Sequence, residues 1–145
     1  MVIYAFDLDG TLADFGTAEK NAIRSALCET LGHEPTDVQC AAFRNALHER
    51  AVAVEGAASP EVDAAFWGHA LRAALETGEA HVSTGRLLRI GEIYREITLR
   101  DLRLYPEAGE ALALVAGEPL LLLTNGFSLL QRAKLRALGI ADRFR

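Results

Sequence analysis

The chain has 145 residues, half of them hydrophobic and about a quarter charged, a globular profile that excludes disorder and leaves room for one domain with a small insert. Its net charge of −5 and pI near 5.4 give no electrostatic footing for a nucleic-acid backbone. Cys28 and Cys40 are too few for a disulfide framework or a zinc site.

Met1 to Gly10 reads MVIYAFDLDG. The early acid at position 7 is foreign to a signal peptide. No apolar run in the chain approaches the roughly 20 residues of a membrane span, so the expected compartment is reducing and cytoplasmic. Val2 to Phe6 is a short apolar run with β-branched and aromatic members, which predicts a strand buried on both faces. Asp7 stands at its carboxyl end, where open α/β sheets place their ligands. Asp9 follows two residues later, so both carboxylates can face one site, and Gly10 lets the chain turn away without a side chain. Two acids beside a buried strand are costly without a cation or a proton to offset them.

From Phe15 to Arg100 no run reads as a strand. Thr17 to Leu31 carries Ala22, Ile23, Ala26, Leu27 and Leu31 on one helical face and ends at Gly32. Thr36 opens a second helical segment, and Ser59-Pro60 opens a third with Pro at the first helical position. A fourth runs from about Ser83 to Arg100 with Leu87, Ile90, Tyr94 and Ile97 as its stripe. Phe43, Phe66 and Trp67 fall at core-like spacing within these segments, although an aromatic could also stack on a base. Leu102 to Pro106 is a return linker, and Glu107 to Ala116 is a helix leading into the next apolar run.

That run, Pro119 to Leu123, ends in the turn signal Thr124-Asn125-Gly126. A helix follows, with Ser128 as N-cap, Leu130, Ala133, Ala137 and Leu138 as its apolar repeat, and Gly139 at the left-handed stop. A single helix directly precedes the second strand, so the two strands can pair in parallel through a right-handed crossover. The fold class expected is α/β: a partial Rossmann-like parallel sheet from residues 1–14 and 101–145, with an all-helical cap at 15–100.

DLDGTL at residues 7–12, together with TNG at 124–126 behind an apolar strand, resembles the first and second motifs of the haloacid dehalogenase (HAD) superfamily. The stretch LLLLTNGFSLLQRAKLRALGIADRF is similar to the branch with a helical cap inserted after the first motif, and TNGF followed by Gln131 resembles its nucleotidase-like members. The resemblance implies a phosphatase acting on a small phosphorylated metabolite. Asp7 would attack phosphorus to give an aspartyl-phosphate, and Asp9 would serve as acid and then as base. Mg²⁺ would be held by Asp7 and Asp9, the latter through its backbone carbonyl. The Thr124 hydroxyl and the Asn125 N–H would bind the transferring oxygens. Asp at position 9 argues against the halide-removing members, which carry Tyr there in the family pattern, whereas transfer to a sugar hydroxyl, as in mutase-like members, stays open.

The family pattern continues to a third motif with a lysine and a fourth with paired acids, and the chain stops before either. Lys134, ten residues past Thr124 on the following helix, is expected at the surface, because a rise of 1.5 Å per residue would leave its ammonium about 10 Å or more from a phosphate. Two readings follow. One is a phosphatase whose remaining residues lie outside this sequence, which is favoured; the other is a weakly active or inactive chain serving as a binding or interaction module. For the 145 residues alone, activity is expected to be weak or absent. The edge beside Leu120 to Leu123 would be unpaired and apolar, a place for self-association.

Overall fold

The computed structural model describes residues 2–53, 63–75 and 82–144. Two short strands, β1 (Tyr4–Phe6) and β2 (Leu120–Leu122), pair in parallel with Tyr4 opposite Leu120 and Phe6 opposite Leu122. The helix α5 (Pro106–Leu114) immediately precedes β2. Among the described residues four helices lie between β1 and α5: α1 (Phe15–Leu31), α2 (Asp37–Ala53), α3 (Ala64–Leu75) and α4 (Thr84–Asp101). Helix α6 (Ser128–Ala137) and a short 3₁₀ turn at Ala141–Arg143 follow β2.

Local chemistry accounts for most of the boundaries. The Asp14 carboxylate accepts from the Thr17 N–H at 3.1 Å and starts α1, and Gly32, left-handed at φ 76°, ends it. Thr36 and Gln39 cap α2 reciprocally: the Gln39 N–H donates to the Thr36 hydroxyl, and the Gln39 side chain accepts from the Thr36 N–H. Ser83 caps α4. The start predicted at Ser59-Pro60 lies outside the described residues. Ser128 is not an N-cap but the first residue of α6, whose cap position is Phe127 with no side-chain bond.

Two apolar clusters organise the chain. The larger gathers Ala22, Ile23, Leu27, Phe43, Phe66, Trp67, Ile90 and Tyr94 from α1–α4. Phe43, Phe66 and Trp67 are all buried in it, so the core reading holds over base stacking. The smaller contains Leu8, Leu12, Ala13, Leu102, Leu112, Leu120 and Ile140. The chain leaving the first motif and the chain returning from α4 run side by side: Asp14 N–H donates to Arg103 O at 2.9 Å, and Tyr105 N–H to Leu12 O at 3.0 Å.

The strands differ from expectation in one respect. The N-terminal run is not buried on both faces: Val2, Ile3 and Tyr4 are 57%, 51% and 38% exposed, and Leu121 and Leu123 are exposed as well. Among the described residues the sheet has only two strands, too few for helices to enclose it on both sides.

Candidate active site

Leu8 is wholly buried while Asp7 is exposed and Asp9 half-buried, so the alternation of an extended chain sets both acids apart from the core residue between them. The Leu8 carbonyl then collects the N–H groups of Leu12 and Ala13 at 3.0 and 2.9 Å, and Gly10 makes the reversal at φ 81°. The Thr11 hydroxyl donates to Asp7 Oδ2 at 3.2 Å, the one hydrogen bond of the Asp7 carboxylate among the described residues. Asp7 therefore stays open to solvent.

The second motif enters from β2. Leu123 N–H donates to Phe6 O at 2.8 Å, which brings Thr124 level with the end of β1. Asp9 and Thr124 are joined through one atom: Gln131 Nε2 donates to Asp9 Oδ2 at 3.0 Å and to Thr124 Oγ1 at 3.1 Å, and lies 3.4 Å from Asn125 O. Asp9, Thr124 and Asn125 thus converge on the N-terminal turn of α6.

Lys134 is not at the surface. It is 1% exposed, and its Nζ donates to Asp9 Oδ2 at 2.7 Å and sits 3.5 Å from the centroid of the Phe15 ring. The expectation failed because α6 starts only at Ser128 and lies alongside the site instead of pointing away from it. Side chains on a helix also lean toward its N-terminus, so a long lysine recovers much of the climb. The buried face of α6 comprises Gln131, Ala133, Lys134 and Leu135, rotated from the predicted Leu130–Ala133–Ala137 stripe. Burial pushes the Lys134 amine below its usual range, and the charges of Asp9, Glu19 and Asp7 only partly counter it. Asp9 Oδ1 and Gln131 Oε1 are buried without a partner.

A second polar cluster, absent from the sequence reading, lies one helical turn beyond Phe15. The Glu19 side chain is fully buried on α1 and accepts from Arg44 Nε at 2.8 Å and Tyr94 OH at 3.0 Å, with His48 Nε2 at 2.7 Å. The available signal was its spacing: 19, 22, 23 and 26 share one helical face, which placed an acid in an apolar stripe.

Among the described residues no group of three or more His, Cys, Asp or Glu is arranged to hold a metal. Magnesium commonly takes only one or two protein carboxylates, completing its shell with water and substrate phosphate. The open Asp7 carboxylate suits that pattern. The Asp9 carboxylate, engaged by the Lys134 ammonium, does not; a role for its backbone carbonyl is what the family resemblance implies.

The whole chain, residues 1–145, matches the family model for haloacid dehalogenase-like hydrolase. Among curated proteins none matches the chain. Solved structures that resemble it include a candidate HAD-hydrolase, YfnB of Bacillus subtilis, bound to magnesium, at 24% identity and TM-score 0.69 over 99% of this chain and 62% of that one. A predicted phosphoglycolate phosphatase from Haemophilus somnus aligns at 25% identity and TM-score 0.59, over 99% and 59% of the two chains. An L-2-haloacid dehalogenase from Xanthobacter autotrophicus aligns at 24% and 0.60, over 99% and 55%. The chain therefore spans somewhat over half the length of these structures.

Proposed function

Because this chain belongs to the haloacid dehalogenase-like hydrolase family, we propose that it serves magnesium-dependent phosphomonoester hydrolysis through an aspartyl-phosphate on Asp7. The observation that carries the reading is the convergence of the first two motifs: an open carboxylate at Asp7, a held one at Asp9, and Thr124 tied to Asp9 through Gln131. In this reading residues 1–14 and 101–145 form the catalytic core and 15–100 the cap.

A phosphomonoester enters over the strand ends with its phosphorus facing Asp7. Thr124 Oγ and the Asn125 N–H donate to non-bridging oxygens, holding the group in line with the attacking carboxylate. Asp7 bonds to phosphorus as the ester bond breaks, and Asp9, which enters this step protonated rather than as the Lys134-paired carboxylate, gives that proton to the departing oxygen. Asp9 then takes a proton from water, which attacks phosphorus and returns Asp7 to its free form. Lys134 keeps a cation beside Asp9, where negative charge accumulates. Asp7 and the Asp9 carbonyl would hold Mg²⁺, which supplies further positive charge to offset that of the phosphoryl group.

Asp at position 9 provides the acid that an alkoxide leaving group needs and a halide does not, which favours phosphate esters over halides. The substrate is a small phosphorylated metabolite, with no role for nucleic acid or membrane, and the proposed setting is the cytoplasm. Among the described residues, no helix is long and apolar enough to cross a membrane. The test is turnover of a generic phosphomonoester by the full-length protein, with and without chelator. Asp7→Asn is expected to abolish it, since an amide is no anionic nucleophile, and Asp9→Asn to slow both half-reactions. Turnover surviving Asp7→Asn, or indifferent to chelator, contradicts the proposal.

A further inference from the structure

We propose that Gln131 is a positioning residue of this site, whose side-chain amide turns the Thr124 hydroxyl into a committed donor toward the substrate phosphate and ties it to Asp9. The inference rests on the phosphatase reading above and adds to it a residue outside both motifs' acids and hydroxyl.

The argument begins with proton inventory. A threonine hydroxyl has one proton to give and two lone pairs to receive with. Gln131 Nε2 lies 3.1 Å from Thr124 Oγ1. A donor there occupies a lone pair and leaves the hydroxyl proton to point elsewhere. Among the described residues no acceptor takes that proton, so it is free for a phosphate oxygen.

The amide's orientation is dictated by its neighbours. Besides Thr124, it faces Asp9 Oδ2 at 3.0 Å and Asn125 O at 3.4 Å, a carboxylate and a carbonyl, both pure acceptors. Turning the amide over would set oxygen against oxygen at both contacts. Nitrogen must therefore face the site, and Oε1 is left buried without a donor, a costly arrangement that the contacts on the nitrogen side outweigh. The residue is 5% exposed, and its own N–H is bonded to Phe127 O at 3.0 Å, so the side chain is anchored at its base.

Gly126 supplies the space. A Cβ at that position would lie 2.5 Å from Gln131 Nε2 and 3.2 Å from Cδ, closer than real contacts allow. The TNG turn and Gln131, five residues apart, thus form one device: the turn delivers Thr124, and its glycine admits the amide that orients it.

Two substitutions reach the device from opposite sides. Gln131→Glu keeps the shape but replaces the donor with an acceptor facing Asp9. Gly126→Ala keeps the glutamine and displaces it. In the full-length protein each is expected to lower kcat/KM for p-nitrophenyl phosphate by about tenfold or more, the scale of one lost hydrogen bond. Each should weaken inhibition by inorganic phosphate in step with that loss. Because both remove the same contact, the double variant should lose scarcely more than the worse single one. Thr124→Val should mask the share of the Gln131→Glu loss that passes through the hydroxyl, the Asp9 contact accounting for the remainder. A structural role alone would give independent, multiplying losses without the matching change in phosphate inhibition. If Gln131→Glu does not fold, Gly126→Ala and Thr124→Val carry the same expectation as a pair.

Unchanged kcat/KM in Gln131→Glu, or multiplying losses, overturns the inference while leaving the phosphatase reading intact, provided Asp7→Asn is inactive. Wild-type turnover that survives Asp7→Asn, or no wild-type turnover at all, removes both together.

Discussion

Replacing Glu19 by glutamine tests whether the cap is held by one buried carboxylate. Glu19 accepts from Arg44 and Tyr94 and contacts His48, drawing α1, α2 and α4 to a single point. Burial is the largest influence on its carboxyl and pushes the pKa up, but the hydrogen bonds from His48, Arg44 and Tyr94 outweigh it and hold it below the usual value of 4.5. A glutamine keeps one acceptor oxygen, loses the charge and turns an N–H₂ toward groups that are themselves donors. Charge-assisted hydrogen bonds contribute about 1.5–3 kcal/mol each, and two of the three partners, Arg44 and His48, are about half exposed and so screened. The expected cost is about 2–3 kcal/mol at pH 7. Urea unfolding should register it as a midpoint lower by about 1 M, given slopes near 2 kcal/mol/M. A lowered carboxyl pKa means stability fully present above the unfolded value and lost as pH falls through the folded one. The gap between wild type and Glu19→Gln should therefore narrow below about pH 4.5. A midpoint shift equivalent to less than about 0.5 kcal/mol at pH 7, or a gap that widens in acid, refutes the reasoning.

Two further expectations follow from the packing and the sheet. Gly91→Ala should cost about 1–3 kcal/mol in thermal or urea unfolding, because a Cβ there would run into the Trp67 indole and force α3 and α4 apart. Leu123→Lys, on an exposed strand-end residue, should reduce concentration-dependent association in sedimentation velocity, since a charge at an open edge blocks strand addition; we propose that edge as the surface through which the chain self-associates.

Much of the fold was legible because local chemistry and global arrangement agree. Apolar runs ending in Asp7 and in Thr124 marked both strands, and the Thr36, Ser83 and Gly32 signals fell at or beside the helix ends. The site was legible only in part. Asp9 and Thr124 come together as the motifs suggested, but Gln131 and Lys134 were invisible to a periodicity argument, because polar residues on a buried face look like a break in the stripe. Counting rise per residue also misled for Lys134, since reach along a helix says nothing about which way the helix lies. The exposure of Val2 and Ile3 was misread for another reason: an all-apolar run predicts burial on both faces, and the two strands among the described residues do not provide it.

The central claim is that Asp7 becomes covalently phosphorylated. Full-length protein mixed with a phosphomonoester, quenched within milliseconds and treated with borohydride would convert an acyl-phosphate at its side chain to an alcohol, which peptide mass spectrometry locates. The account predicts homoserine at residue 7, formed only when substrate is present and prolonged in Asp9→Asn. Efficient substrate turnover with Asp7 unmodified under these conditions, or with the reduced residue found elsewhere, would contradict it.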